Sequence, residues 1–120
     1  MGSYRQFNSG EFDSALEAIK KLKSKWPPHA KVLQLEALIL RRKGELKLAI
    51  KSLEQSLELD PSSCEVHNTL ANVYKDDENW KQSIKHYQIA LDIDPNYHEA
   101  RRNLSLCYIC LLYTSDAADE

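Results

Sequence analysis

Three prolines set the register of this chain. Pro27, Pro61 and Pro95 stand 34 residues apart, each at the end of a run with helical character. Proline has no N–H to donate, and its ring drives the preceding residue out of the α region. Helices must therefore stop at Asp60 and Asp94. Other columns keep the same interval. Phe12, Leu46 and Trp80 align, as do Ala15, Ala49 and Ser83, then Leu16, Ile50 and Ile84. Ile19, Leu53 and Tyr87 form a bulky column, followed by Leu22, Ser56 and Ala90. Ahead of these lie the small residues Ser3, Ala37, Ala71 and Ser105, and then Leu40, Tyr74 and Tyr108. Breakers in register with small and bulky columns mean stacked supersecondary units.

Each unit reads as two helices. Val66, Leu70, Val73 and Tyr74 follow helical spacing, "KDDEN" interrupts, and Trp80, Ile84, Tyr87 and Leu91 line one face of a second helix. Leu46, Ile50, Leu53 and Leu57 repeat that stripe one unit earlier. Gly10 and Gly44 fall between helices, where a left-handed residue is expected; the next unit has Glu78 there and Asn79 after it, with Asn79 expected to take that conformation. Ser62 with Glu65, and Asn96 with Glu99, have capping-box spacing and restart the chain as a helix. The small columns allow close approach, and the bulky one fills the gap between units. One such pair cannot bury its own stripe, whereas a row of pairs can.

These residues resemble the tetratricopeptide (TPR) repeat. In residues 64–97 Leu70-Ala71, Tyr74, Ser83, Tyr87, Ala90 and Asp94-Pro95 stand where that family places its signature. The tryptophan usual early in the first helix is replaced by Leu33, His67 and Arg101, and Glu36 occupies a position where leucine is common. The resemblance spans residues about 3–109 and implies an all-α fold, a right-handed superhelical stack of antiparallel helix pairs. The expected divisions are a partial repeat over 1–29 with its second helix at about 12–25, full repeats over 30–63 and 64–97, and the first helix of a cut repeat over 98–109. Residues 110–120, "CLLYTSDAADE", carry no helical stripe. They resemble an in-frame translation of a transposase adapter used in sequencing libraries, so they are expected to be a non-native tail on a fragment.

In this family the first helix of each pair lines a concave surface. The resemblance places Lys31, Gln34, Leu38, Arg41 and Arg42 there in one unit, Glu65, Asn68, Asn72, Lys75 and Asp76 in the next, and Glu99, Arg102, Leu106 and Ile109 in the last. Both charges and amides suit an extended peptide, whose backbone needs hydrogen-bond partners. The family's carboxylate clamp, with paired cations and asparagines, fits poorly. In one register Gln34, Leu38, Thr69, Glu99 and Asn103 fill its positions and none fits; in the other Asn72 and Asn103 match the two asparagines, Asn68 stands in place of the lysine, and the basic pair would fall in a missing repeat. The function implied is a protein-interaction scaffold that binds a peptide or partner segment. The alternative is the recruiting arm of a larger enzyme of sulfotransferase, glycosyltransferase or oxygenase type.

Bulk properties narrow the remainder. The formal charge is −2, which gives no overall pull toward nucleic acid or an anionic membrane. The run "YICLLY" is far shorter than the roughly 20 residues of a membrane span. The N-terminal stretch lacks a signal-peptide core, and Gln6 spoils a myristoylation site at Gly2. Three cysteines without framework spacing fit a reducing compartment, so the expected location is cytoplasmic. Cys64 and His67 are one helical turn apart but lack two further metal ligands, and Cys107-x-x-Cys110 has no partner pair. His29, His67, His86 and His98 have no nucleophile placed beside them by the repeat, and no Gly-rich phosphate loop occurs. The lysines of "KKLKSK" complement a helix C-terminus. The chain is therefore expected to have no catalytic residue, no metal and no cofactor.

Overall fold

The computed structural model describes residues 9–27 and 29–119. Its described residues form six helices and no strand: α1 Ser9–Lys25, α2 Ala30–Lys43, α3 Leu46–Leu59, α4 Cys64–Asp76, α5 Trp80–Ile93 and α6 His98–Asp119. The chain divides into two compact units, Met1–Leu59 and Asp60–Glu120. In the first, α1 packs on α2 and α2 on α3; in the second, α4 packs on α5, and α6 lies against both.

The proline register ends helices as its chemistry demands. α3 stops at Leu59, just before Asp60-Pro61, and α5 stops at Ile93, leaving Asp94 extended at φ −136° ahead of Pro95. Side chains cap the starts of α2, α4 and α5. The His29 ring accepts from the Lys31 N–H through Nδ1 at 3.2 Å, and Asn79 accepts from the Gln82 N–H. At α4 the capping oxygen belongs to Ser63, which accepts from the Val66 N–H at 3.2 Å; Ser62 instead donates to Asp60. α6 begins at His98, so Asn96 lies outside the cap position, and its N–H closes a turn onto the Asp94 carboxylate. Neither expected capping box forms: at α4 the adjacent Ser63 takes the cap position, and before α6 Asn96 is held in a turn onto Asp94.

The turns inside the two complete pairs are the same turn. Gly44 donates to the Arg41 carbonyl at 3.0 Å and Glu45 to Leu40 at 2.8 Å. Thirty-four residues on, Glu78 donates to Lys75 at 3.0 Å and Asn79 to Tyr74 at 2.9 Å. This is the Schellman closure, and it needs one left-handed residue. Gly44 takes φ 91°, and Glu78, not Asn79, takes φ 58°. Asn79 is needed as the cap of α5, so the strain falls on the glutamate. Glu78→Gly is expected to raise stability by about 1 kcal/mol, read as a higher urea midpoint. Gly10, by contrast, lies inside α1, which starts three residues before the expected Phe12. The Ser3 column position, Gly2 and Gln6 lie outside the described residues.

The small columns are where helices touch. Ala37, Ala49, Ala71 and Ser83 have no exposed surface, and the Ser83 hydroxyl donates to the Ala71 carbonyl across the α4–α5 crossing at 2.9 Å. A second crossing contact swaps sides between units. Ser56 of α3 donates to the Ala30 carbonyl of α2 at 3.0 Å, whereas Cys64 of α4 donates to the Ala90 carbonyl of α5 at 3.3 Å. Leu53 and Tyr87, of the bulky column, are wholly buried. In the second unit Ala71, Tyr87, Ala90, Ala100 and Cys107 form a core edged by Trp80, Ile84 and Leu104. α6 remains helical through residues 110–119, but Leu112 and Tyr113 point to solvent, as the missing stripe requires.

Candidate functional site

Helical periodicity places the implied binding residues on first-of-pair helices in both units. In the first unit Lys31, Gln34, Leu38, Arg41 and Arg42 lie on α2, with Lys31, Leu38 and Arg42 exposed and Gln34 buried. In the second, Glu65, Asn68, Asn72, Lys75 and Asp76 lie on α4 and Glu99, Arg102, Leu106 and Ile109 on α6. Glu65 and Glu99 occupy the first turns of their helices, where a carboxylate complements the helix dipole, and both are exposed with Arg102.

The polar centre of the second unit is built by three helices. Asn72 of α4 accepts through Oδ1 from the Tyr87 hydroxyl of α5 and from Asn103 Nδ2 of α6 at 3.3 Å. Lys75 then donates to Asn103 Oδ1 at 3.4 Å. Asn72, Tyr87, Asn103 and Lys75 thus form one chain of hydrogen bonds. Asn68, one turn before Asn72, bonds through its amide to the Tyr97 hydroxyl, yet its Oδ1 is buried with no donor. A buried acceptor in that state typically costs about 1–3 kcal/mol. Tyr97 titrates above the ordinary tyrosine range because burial and then the nearby Glu99 charge disfavour the phenolate. Tyr87 and Asn103 are the members that periodicity alone does not assign to this face. Asn103 carries one signal, its match to a clamp asparagine, while Tyr87 reads as core from its column.

Away from this centre the histidines pair. His67 Nε2 donates to the Pro61 carbonyl at 3.1 Å, since a carbonyl can only accept, and Nδ1 of the neutral ring then accepts from His86 Nδ1 at 3.1 Å. His86 also stacks on Tyr74, the centroids 5.7 Å apart. Burial first, then the neighbouring His67 and Lys85, push the His86 pKa down to about 4. Cys64, directed at Ala90, and His67, directed at His86 and Pro61, are engaged with different partners. Among the described residues no three His, Cys, Asp or Glu side chains gather as a metal-ligand set. Burial raises the Cys64 and Cys107 thiols above their usual range, so both are poor nucleophiles. No helix among the described residues is long and apolar enough to cross a membrane.

Comparison with known proteins agrees with this architecture. The profile described as "Psidin, N-terminal TPR repeats region" matches residues 3–114. The structure is similar to a crystal structure of MamA, with TM-score 0.78 and 26% identity over 85% of this chain and 60% of that one. It is similar to an O-GlcNAc transferase of Thermobaculum terrenum, with TM-score 0.74 and 26% identity over 82% of this chain but 19% of that one. The Sgt2 TPR domain from Aspergillus fumigatus shares the fold at TM-score 0.81 and 17% identity, covering 91% and 74%. The chain thus spans about 60% of the MamA chain. No curated protein sequence matches it.

Proposed function

The chain belongs to the tetratricopeptide-repeat family, a fold of protein-interaction scaffolds, and on that premise we propose that it binds an extended peptide segment on its first-of-pair helices. The observation that carries this reading is Asn68: a buried amide oxygen without a donor, one turn from the Asn72–Asn103–Lys75 chain. A peptide backbone N–H is the donor that such an oxygen lacks. Asn103 and Lys75 would meet backbone carbonyls, and Glu65, Glu99 and Arg102 would select side chains by charge. On α2 of the first unit, Lys31, Gln34, Leu38, Arg41 and Arg42 offer a more basic face with one apolar contact. Tetratricopeptide arrays are typically non-catalytic, and no cofactor, metal or nucleic acid enters this reading.

The test is selection of peptides from a displayed library, followed by affinity measurements on variants. Asn68→Ala is expected to weaken a selected peptide about tenfold, the equivalent of about 1.4 kcal/mol. Arg41→Glu should shift the charge preference of the selected sequences and leave the circular dichroism spectrum unchanged. Selected peptides insensitive to both substitutions, or helix loss in Arg41→Glu, would remove the assignment.

A second reading is favoured by the likeness to the O-GlcNAc transferase, 26% identical over 82% of this chain. On it, the repeats recruit substrate for a catalytic domain of glycosyltransferase, sulfotransferase or oxygenase type. Reading the gene past codon 109 separates the two: further 34-residue units favour the scaffold, a change to α/β patterning the enzyme.

A further inference from the structure

The Asn68 amide is joined to a residue of the turn between α5 and α6. Tyr97, half-buried, is pinned through its backbone: its N–H donates to the Asp94 carbonyl at 3.0 Å, and its carbonyl accepts from the Arg101 N–H at 3.3 Å. Its hydroxyl meets the Asn68 amide, and the carboxylates of Glu99 and Glu65 act on that phenol from the first turns of α6 and α4. The helix dipole favours an acid in each first turn. It does not account for two such turns acting on one phenol, beside an amide oxygen buried without a donor. After burial, the Glu99 charge helps to hold the Tyr97 phenol above its usual range, and a field that disfavours a phenolate favours a cation.

The neighbouring cations are engaged or stand apart. Lys75 donates to Asn103, and Arg101 donates to the Pro95 carbonyl. Arg102, three residues on along α6, is exposed, and among the described residues no ion pair holds Glu99. Glu65 has interactions of its own, so Glu99 is the carboxylate on which a cation here depends.

We propose that the peptide residue lying over Asn68 is basic, a lysine or arginine whose side chain runs past the Tyr97 hydroxyl to the Glu99 carboxylate. The inference rests on the peptide-binding reading above and adds what that reading leaves open, the sign of one side chain. The peptide backbone N–H supplies the donor that Asn68 Oδ1 lacks. The basic side chain carries donors only, and it meets a hydroxyl with a second lone pair and a carboxylate, both able to accept. An acidic residue at this place would be repelled by Glu99 and Glu65, which makes the choice one of exclusion as well as attraction.

Fluorescence anisotropy tests it with short labelled peptides of alanine and serine whose central residue is lysine, arginine, norleucine or glutamate. The lysine and arginine peptides should bind about threefold to fivefold more tightly than the norleucine one, the upper range for an ion pair at a surface groove, and the glutamate peptide more weakly. In Glu99→Gln, at unchanged helicity, the lysine and norleucine peptides should bind alike. Asp92→Asn, which removes an exposed acid of α5, should preserve the preference. Asn68→Ala should weaken every peptide by the same factor. Equal binding of lysine and norleucine peptides to the parent, or a lysine preference that survives Glu99→Gln, overturns the inference and leaves the peptide-binding reading standing. No binding of any peptide, or indifference to Asn68→Ala, overturns that reading and the inference with it.

Discussion

Leu53→Ala is expected to destabilise the protein by about 2–5 kcal/mol, the range for deleting a buried leucine side chain without collapse of the cavity. Leu53 has no exposed surface, and it comes from α3 into the α2–α3 packing on which the first unit depends. A loss of this size is a large fraction of the roughly 5–15 kcal/mol that a whole domain usually has. Urea unfolding should show a lower midpoint with an unchanged slope. Leu48, on the same helix but 50% exposed, supplies the control: Leu48→Ala should move stability by no more than about 0.5 kcal/mol. Equal effects at the two positions would contradict the assigned face of α3.

Acidification should weaken the second unit through His86. Its folded pKa is depressed to about 4 from an ordinary 6.5, so between those values the unfolded chain takes up a proton that the folded chain refuses. Stability from this group is therefore full above about pH 6.5 and is lost progressively down to pH 4. His86 is only partly buried, and with solvent screening the loss is about 1–2 kcal/mol. Carboxylates titrate over part of the same window, so the measurement is a difference: urea midpoints at pH 7 and pH 4.5 for the parent and for His86→Phe. The variant keeps the stack on Tyr74 and loses the proton, so its pH dependence should be shallower. Parallel profiles would show that the His67–His86 contact is not what titrates.

Much of this architecture is written in residue type and spacing. Pro61 and Pro95 end helices by local sterics, which no tertiary contact can reverse. The Ala37, Ala49, Ala71 and Ser83 columns are small because two backbones meet there, and that follows from the interval alone. What spacing leaves open is any choice between near-equal neighbours. Ser63 caps α4 although Ser62 has the capping-box partner, and Glu78 takes the left-handed turn although Asn79 is intrinsically better suited. In each case the neighbour is held elsewhere, Ser62 by Asp60 and Asn79 by its duty at the start of α5.

The asparagine face of α4 divides in the same way. That Asn68, Asn72 and Lys75 share one side of α4 is a consequence of 3.6 residues per turn and is legible in the sequence. That Asn72 is joined to Tyr87 and Asn103, while Asn68 Oδ1 is left without a donor, depends on where α5 and α6 come to rest against α4. Residue order along one helix is a local property, whereas hydrogen-bond partners and cavities belong to side chains brought together from distant positions, and only the packed tertiary structure chooses them.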